Sequence, residues 1–160
     1  MNKIIILVIG LIASSSIFAS KHMVSVRGTA AGVYFNNNGD YRHLIVNADY
    51  HYTIDEKIQI GSTISLSLYK SDYSDGTFTE VGPSVIYNLD SNINESAFIK
   101  AKILLFQSSS TDSSTTSYTL SLGKRFKIFE SVSLAPEIFI STNSDVTAYG
   151  VDLINVNIFF

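Results

Sequence analysis

The chain has 160 residues, is 46% hydrophobic and only 16% charged, and carries a formal net charge of −3. It has no basic run, which excludes nucleic acid as an expected partner, and no cysteine, which excludes disulfides and thiolate metal sites. Its polarity comes from Ser, Thr and Asn rather than from Lys and Glu, a composition that suits a closed polar interior better than a wet surface.

The first element is "MNKIIILVIGLIASSSIFAS". Lys3 precedes an apolar run from Ile4 to Ala13, and small residues follow as far as Ala19. This is the layout of a secretory signal peptide over residues 1–19, with cleavage expected after Ala19. The apolar run is too short to span a bilayer as a helix, which takes about 20 residues. Residues 20–160 are then an exported domain.

Beyond residue 20 no stretch has helical periodicity. Period-two alternation recurs in eight runs: 23–35, 41–54, 57–70, 77–90, 95–107, 115–128, 132–141 and 148–160. In the first run Val24, Val26, Ala30 and Tyr34 oppose Ser25, Arg27 and Thr29. In the second Leu44, Val46, Ala48, Tyr50, Tyr52 and Ile54 oppose His43, Ile45, Asn47, Asp49, His51 and Thr53. The third sets Ile58, Ile60, Ile64, Leu66 and Leu68 against Gln59, Thr63, Ser65 and Ser67. The fourth sets Val81, Val85, Tyr87 and Leu89 against Glu80, Ser84 and Asn88. The fifth opposes Ala97, Ile99, Ala101, Ile103 and Leu105 to Lys100 and Lys102, and the sixth opposes Tyr118, Leu120, Leu122 and Phe126 to Thr119, Ser121, Arg125 and Lys127. In the last run Ile154, Val156, Ile158 and Phe160 share a face opposite Asn155 and Asn157.

Alternation alone also fits a soluble lipocalin-like barrel with its apolar face inward. Four features favour the inverted arrangement, with apolar residues facing lipid and polar residues facing a lumen. The runs of about 10–14 residues are long enough to cross a bilayer as tilted strands. The polar faces are mostly uncharged. Aromatic residues cluster at two levels, Tyr34 and Tyr118 at one rim and Tyr52, Tyr87, Phe126 and Phe160 at the other. The connections alternate in character: "NNNGD", "KSDYSDG", "QSSSTDSSTT" and "STNSDVT" are mostly longer than "DE", "DSNIN" and "FES", as outer loops are longer than periplasmic turns. The backbone of such a sheet must close to satisfy its hydrogen bonds in lipid. Three residues fit poorly. Lys124 falls on the lipid-facing parity, by snorkelling or through a bulge at Gly123, and Pro83 and Pro136 predict bulges or lost ladder bonds.

These runs, the leader and the ending "INVNIFF" together resemble the small eight-stranded outer-membrane barrels of the OmpA/OmpX type. The resemblance implies an all-β, closed, antiparallel up-and-down transmembrane barrel over residues 20–160, in the bacterial outer membrane. It implies that Ile154, Val156, Ile158 and Phe160 form the signal read by the barrel assembly machinery. It further implies contact with outer-membrane lipid and lipopolysaccharide, and a monomeric state.

Inside such a barrel a polar network of Arg27, Asp49, Glu80, Lys100, Lys102, Arg125 and Glu137 is expected, with no broad open pore. His43 and His51 lie eight residues apart on one strand, too far to share a metal. No metal or cofactor site is expected. A nucleophile–His–acid site would need a serine placed by the fold. The expected function is non-enzymatic: a structural element, or a platform for surface partners on four outer loops. The alternatives are a lipid A-modifying deacylase or acyltransferase barrel, and a narrow porin-like channel.

Overall fold

The computed structural model describes residues 21–36, 39–71, 75–108, 114–144 and 147–160. The expected signal peptide at 1–19 and the tips of the four polar connections lie outside the described residues. Within the described residues the chain is all β. Five long strands come first: β1 (His22–Asn36), β2 (Gly39–Thr53), β3 (Ile58–Ser71), β4 (Asp75–Asn88) and β5 (Ala97–Ser108). Six shorter ones follow: β6 (Ser114–Lys124), β7 (Phe126–Phe129), β8 (Val132–Leu134), β9 (Glu137–Thr142), β10 (Thr147–Asp152) and β11 (Asn155–Phe159).

They form one antiparallel sheet in the order β10-β9-β6-β5-β4-β3-β2-β1-β11-β8-β7. The alternation predicts eight strands; the sheet has eleven. The reason is local. The sixth, seventh and eighth runs are each cut once, at Arg125, at Ala135–Pro136 and at Leu153–Ile154. At the first cut the Arg125 amide still donates to the Ser96 carbonyl at 3.1 Å, one step beyond the Ala97↔Lys124 pair, and the assigned strand pauses for this one residue. At the second, Pro136 has no amide to give, although its carbonyl still accepts from the Lys124 amide at 3.2 Å. Either side of these two cuts the register is unchanged, with Gly123 opposite Glu137 and Phe126 opposite Leu134. The third cut is a one-residue bulge. Val151 and Leu153 face outward above it, and Ile154, Val156 and Ile158 below it, so two adjacent residues share the outer face.

Pro83 behaves like Pro136. Pairing with β5 runs to Val81↔Leu105 and resumes at Ser84↔Lys102 in the same register, so rows are lost without a bulge. Gly123 makes no bulge either: parity continues through Lys124, which faces outward opposite Ala97, the first residue of β5. Gly123 serves packing. A Cβ there would lie 2.4 Å from the Phe98 ring, which covers the glycine from the neighbouring strand, and Phe139 covers Gly150 in the same way.

The first and last strands pair from Met23↔Phe159 to Arg27↔Asn155. His22 and Phe160 exchange backbone hydrogen bonds at 3.0 and 2.9 Å, and the His22 ring stacks on that of Phe160 at 5.7 Å.

Burial is inverted relative to a water-soluble core. Among the described residues six hydrophobic side chains are buried against twenty-one polar or charged ones. Val26, Ile64, Leu105, Leu120 and Ile138 lie on the outward face, each about half exposed. A continuous outer apolar surface of this kind is at home in hydrocarbon, not in water.

Candidate functional site: the lumen

The inward face of each strand supplies the site. Gly61 illustrates how the sheet positions it. This residue lies between His51 of β2 and Ser84 of β4 in the ladder. Having no side chain, it lets these two reach across, with Ser84 Oγ 2.8 Å from His51 Nε2. A Cβ at Gly61 would sit 1.8 Å from the Tyr50 carbonyl oxygen.

The middle of the lumen holds an ion network. Arg27 Nη1 donates to Glu137 Oε1 at 2.5 Å and to Asp152 Oδ2 at 2.7 Å. Lys100 Nζ is 2.8 Å from Glu137 Oε2 and 3.5 Å from Asp49 Oδ2. Lys102 Nζ is 3.3 Å from Asp49 Oδ1. All of these groups are buried, so each charge depends on its partners to offset lost hydration.

Below the network, toward the end that carries Phe160, lies an apolar plug. Met23, Ile86, Phe98, Ala135 and Phe159 pack together there, with Ile93 against them. Arg125 pins this plug. Its guanidinium lies 4.5 Å from the centroid of Phe98 and 5.7 Å from that of Phe159, a cation–π arrangement. It also donates to Asn88 Oδ1, to Gln59 Oε1 at 3.0 Å and to the Ile93 carbonyl at 2.9 Å. Above the network, toward the long connections, is a cavity of about 140 Å³. Glu80, Lys102, Arg27 and Asp152 line it together with Ser and Thr hydroxyls.

Of the residues anticipated for the lumen, Arg27, Asp49, Lys100, Lys102 and Glu137 meet in one network. Glu80 stands apart, half-buried on the cavity wall, and accepts from Ser117 Oγ at 3.4 Å. Arg125 meets amides and rings in place of a carboxylate. Asp152 joins the network although the alternation assigned it no role. The bulge at Leu153–Ile154 switches its face, and the adjacent apolar pair after Tyr149 and Val151 is the signal that marks that switch. Asn155 and Asn157 are buried, and Ser25 Oγ donates to Asn157 Oδ1. The side chain of His43 lies outside the described residues.

His51 and Ser84 bring a base to a hydroxyl. The acid is absent from this pair: His51 Nδ1 has no hydrogen-bond partner among the described residues, and Asp49 is held by two lysines. Both groups are buried. Among the described residues no group of three or more His, Cys, Asp or Glu is placed to hold a metal ion.

No protein-family model matches the chain, and no curated protein matches it in sequence. Among solved structures, Neisserial surface protein A (NspA) superposes with a TM-score of 0.55 at 15% identity, over 87% of this chain and 96% of that one. A structure described as de novo design of transmembrane β-barrels superposes with a TM-score of 0.51, also at 15% identity, over 89% and 98%. At these identities the likeness is one of fold. With an apolar exterior, a polar and ion-paired interior and this likeness, the chain is a small β-barrel of the outer-membrane type.

Proposed function

We propose that the protein resides in the bacterial outer membrane as a closed barrel of eight spans, counting each cut run as one, and that its role is non-enzymatic. The barrel is a structural element and carries four outer loops that meet lipopolysaccharide or a surface partner. The end with Phe160 faces the periplasm, and the long connections face out. One observation carries the reading: the lumen is filled by the ion network and stoppered by the Arg125-pinned plug. Such a lumen supports a scaffold rather than a channel. The His51–Ser84 pair, which lacks an acid partner on His51 among the described residues, gives no support to a lipid-modifying activity.

Planar bilayers containing the purified protein test the first point. Steady single-channel steps at neutral pH would overturn the scaffold reading. Lipid A acyl-chain analysis of cells with and without the protein tests the second, and a lost or gained acyl chain would establish an enzyme. Phe160, with Ile154, Val156 and Ile158, is taken as the assembly signal. Deleting Phe160 is expected to lower the amount reaching the outer membrane several-fold, and normal levels of the truncated protein would refute that role.

A further inference from the structure

The outer surface is not uniformly filled. A groove of about 310 Å³ opens between β6, β9 and β10, beside the cuts in the sheet, with Leu122, Lys124, Pro136, Ile138 and Val151 among its lining residues. The side chains that form its walls are apolar except at one point, where Lys124 stands on the outward face. No ion pair holds the Lys124 ammonium among the described residues. The carboxylate at the groove's edge, Glu137, is turned inward and bound to Arg27 and Lys100.

We propose that this groove binds one anionic phospholipid, with an acyl chain along Leu122, Ile138 and Val151 and the phosphate on Lys124. The site rests on the membrane-spanning reading above. A cation on a lipid-facing strand position is unfavourable unless it reaches polar matter. Lys124 lies opposite the first residue of β5, a level from which its stem reaches the headgroups. One ammonium matches the single negative charge of a phosphodiester, whereas a zwitterionic headgroup brings its own competing cation. The groove belongs to the periplasmic-facing half of the barrel, and this favours a phospholipid over lipopolysaccharide.

The test uses the full chain in nanodiscs of equal phosphatidylglycerol and phosphatidylcholine, with retained lipid read by native mass spectrometry. The wild type is expected to retain phosphatidylglycerol about fivefold over phosphatidylcholine, the effect of one lysine near the headgroups. Lys124→Gln abolishes that preference, and Lys127→Gln, off the groove, keeps it. Val151→Phe fills the groove and lowers retention of both lipids. Each sample is also run boiled and unboiled on a gel. In samples that show the folded-band shift, equal retention by the wild type or an unchanged preference in Lys124→Gln overturns the site. Absence of the shift in the wild type overturns the barrel reading itself, and the lipid site with it.

Discussion

The two sides of the barrel wall are built differently. From β1 to β5 the strands run 12 to 15 residues each. Backbone pairing there is nearly continuous, with one shift at Thr29/Gly32 and one skip at Gly82–Pro83. From β6 to β11 every run is cut, and the cuts lie side by side. The lumenal side chains compensate at those cuts. Arg125 is itself a cut residue, Glu137 follows Pro136 directly, and Asp152 and Asn155 flank the bulge. Three of these four reach Arg27 or Glu137 across the lumen or belong to the network, while Arg125 ties the plug to Gln59 and Asn88 on the continuous side. One wall is held by its ladder, and the other in part by what fills the barrel. A buried ion network is costly as a source of stability, but here several of its members stand beside the places where the ladder is interrupted.

The comparison breaks first at Glu137. Glu137→Gln leaves Arg27 and Lys100 short of a counter-charge and is expected to destabilise the protein by about 3–5 kcal/mol. Urea unfolding in lipid vesicles would measure it, and a loss below about 1 kcal/mol would show that the cut wall does not depend on the network. Next, Ile64→Pro places a proline in β3, where Ile64 pairs with Ala48 and Val81 on its two sides. A cost of about 3 kcal/mol or more is expected, read as a loss of the heat-shifted band. A smaller change probes the packing of the continuous wall. Gly61→Ala pushes a methyl against the Tyr50 carbonyl and should cost about 1–3 kcal/mol. It should also weaken the His51–Ser84 contact, which the histidine ring resonances would report. The smallest effect belongs to the cut wall. A strand residue's amide and carbonyl point to the same neighbour, so Pro136→Ala adds an amide facing the Lys124 carbonyl. One restored ladder bond is expected to raise stability by about 0.5–1 kcal/mol. A clear loss would mean that the interruption itself is needed.

The two walls also differ in how far they can be read from sequence. Where pairing is unbroken, alternation assigns faces correctly: Lys100 and Lys102 point in, and Ile99, Ile103 and Leu105 point out. The same logic places Arg27, Asp49 and Glu137 inside, because a period of two depends only on an unbroken pleat. It fails where the pleat slips, and Asp152 is hidden by one extra residue at Leu153–Ile154. The plug was illegible for a different reason. Ile86, Phe98 and Phe159 are apolar residues on polar faces, and only the closure of the sheet brings them to one level. The likeness of Arg125 to the other lumenal cations concealed its partners, since alternation shows which way a side chain points and not how high in the barrel it sits.

The seam between β1 and β11 carries a consequence for folding order. Ser25 and Asn157, which meet there, are 132 residues apart in sequence, whereas β1 and β2 meet through a hairpin. Contacts between distant segments form late, after the local pairings have reduced the search. Until β11 arrives, β1 presents one row of unpaired amides and carbonyls, a template for pairing with another chain. The nascent sheet is thus most vulnerable at its oldest strand, and the interval before the seam closes is when a chaperone or an aggregation partner competes for that edge.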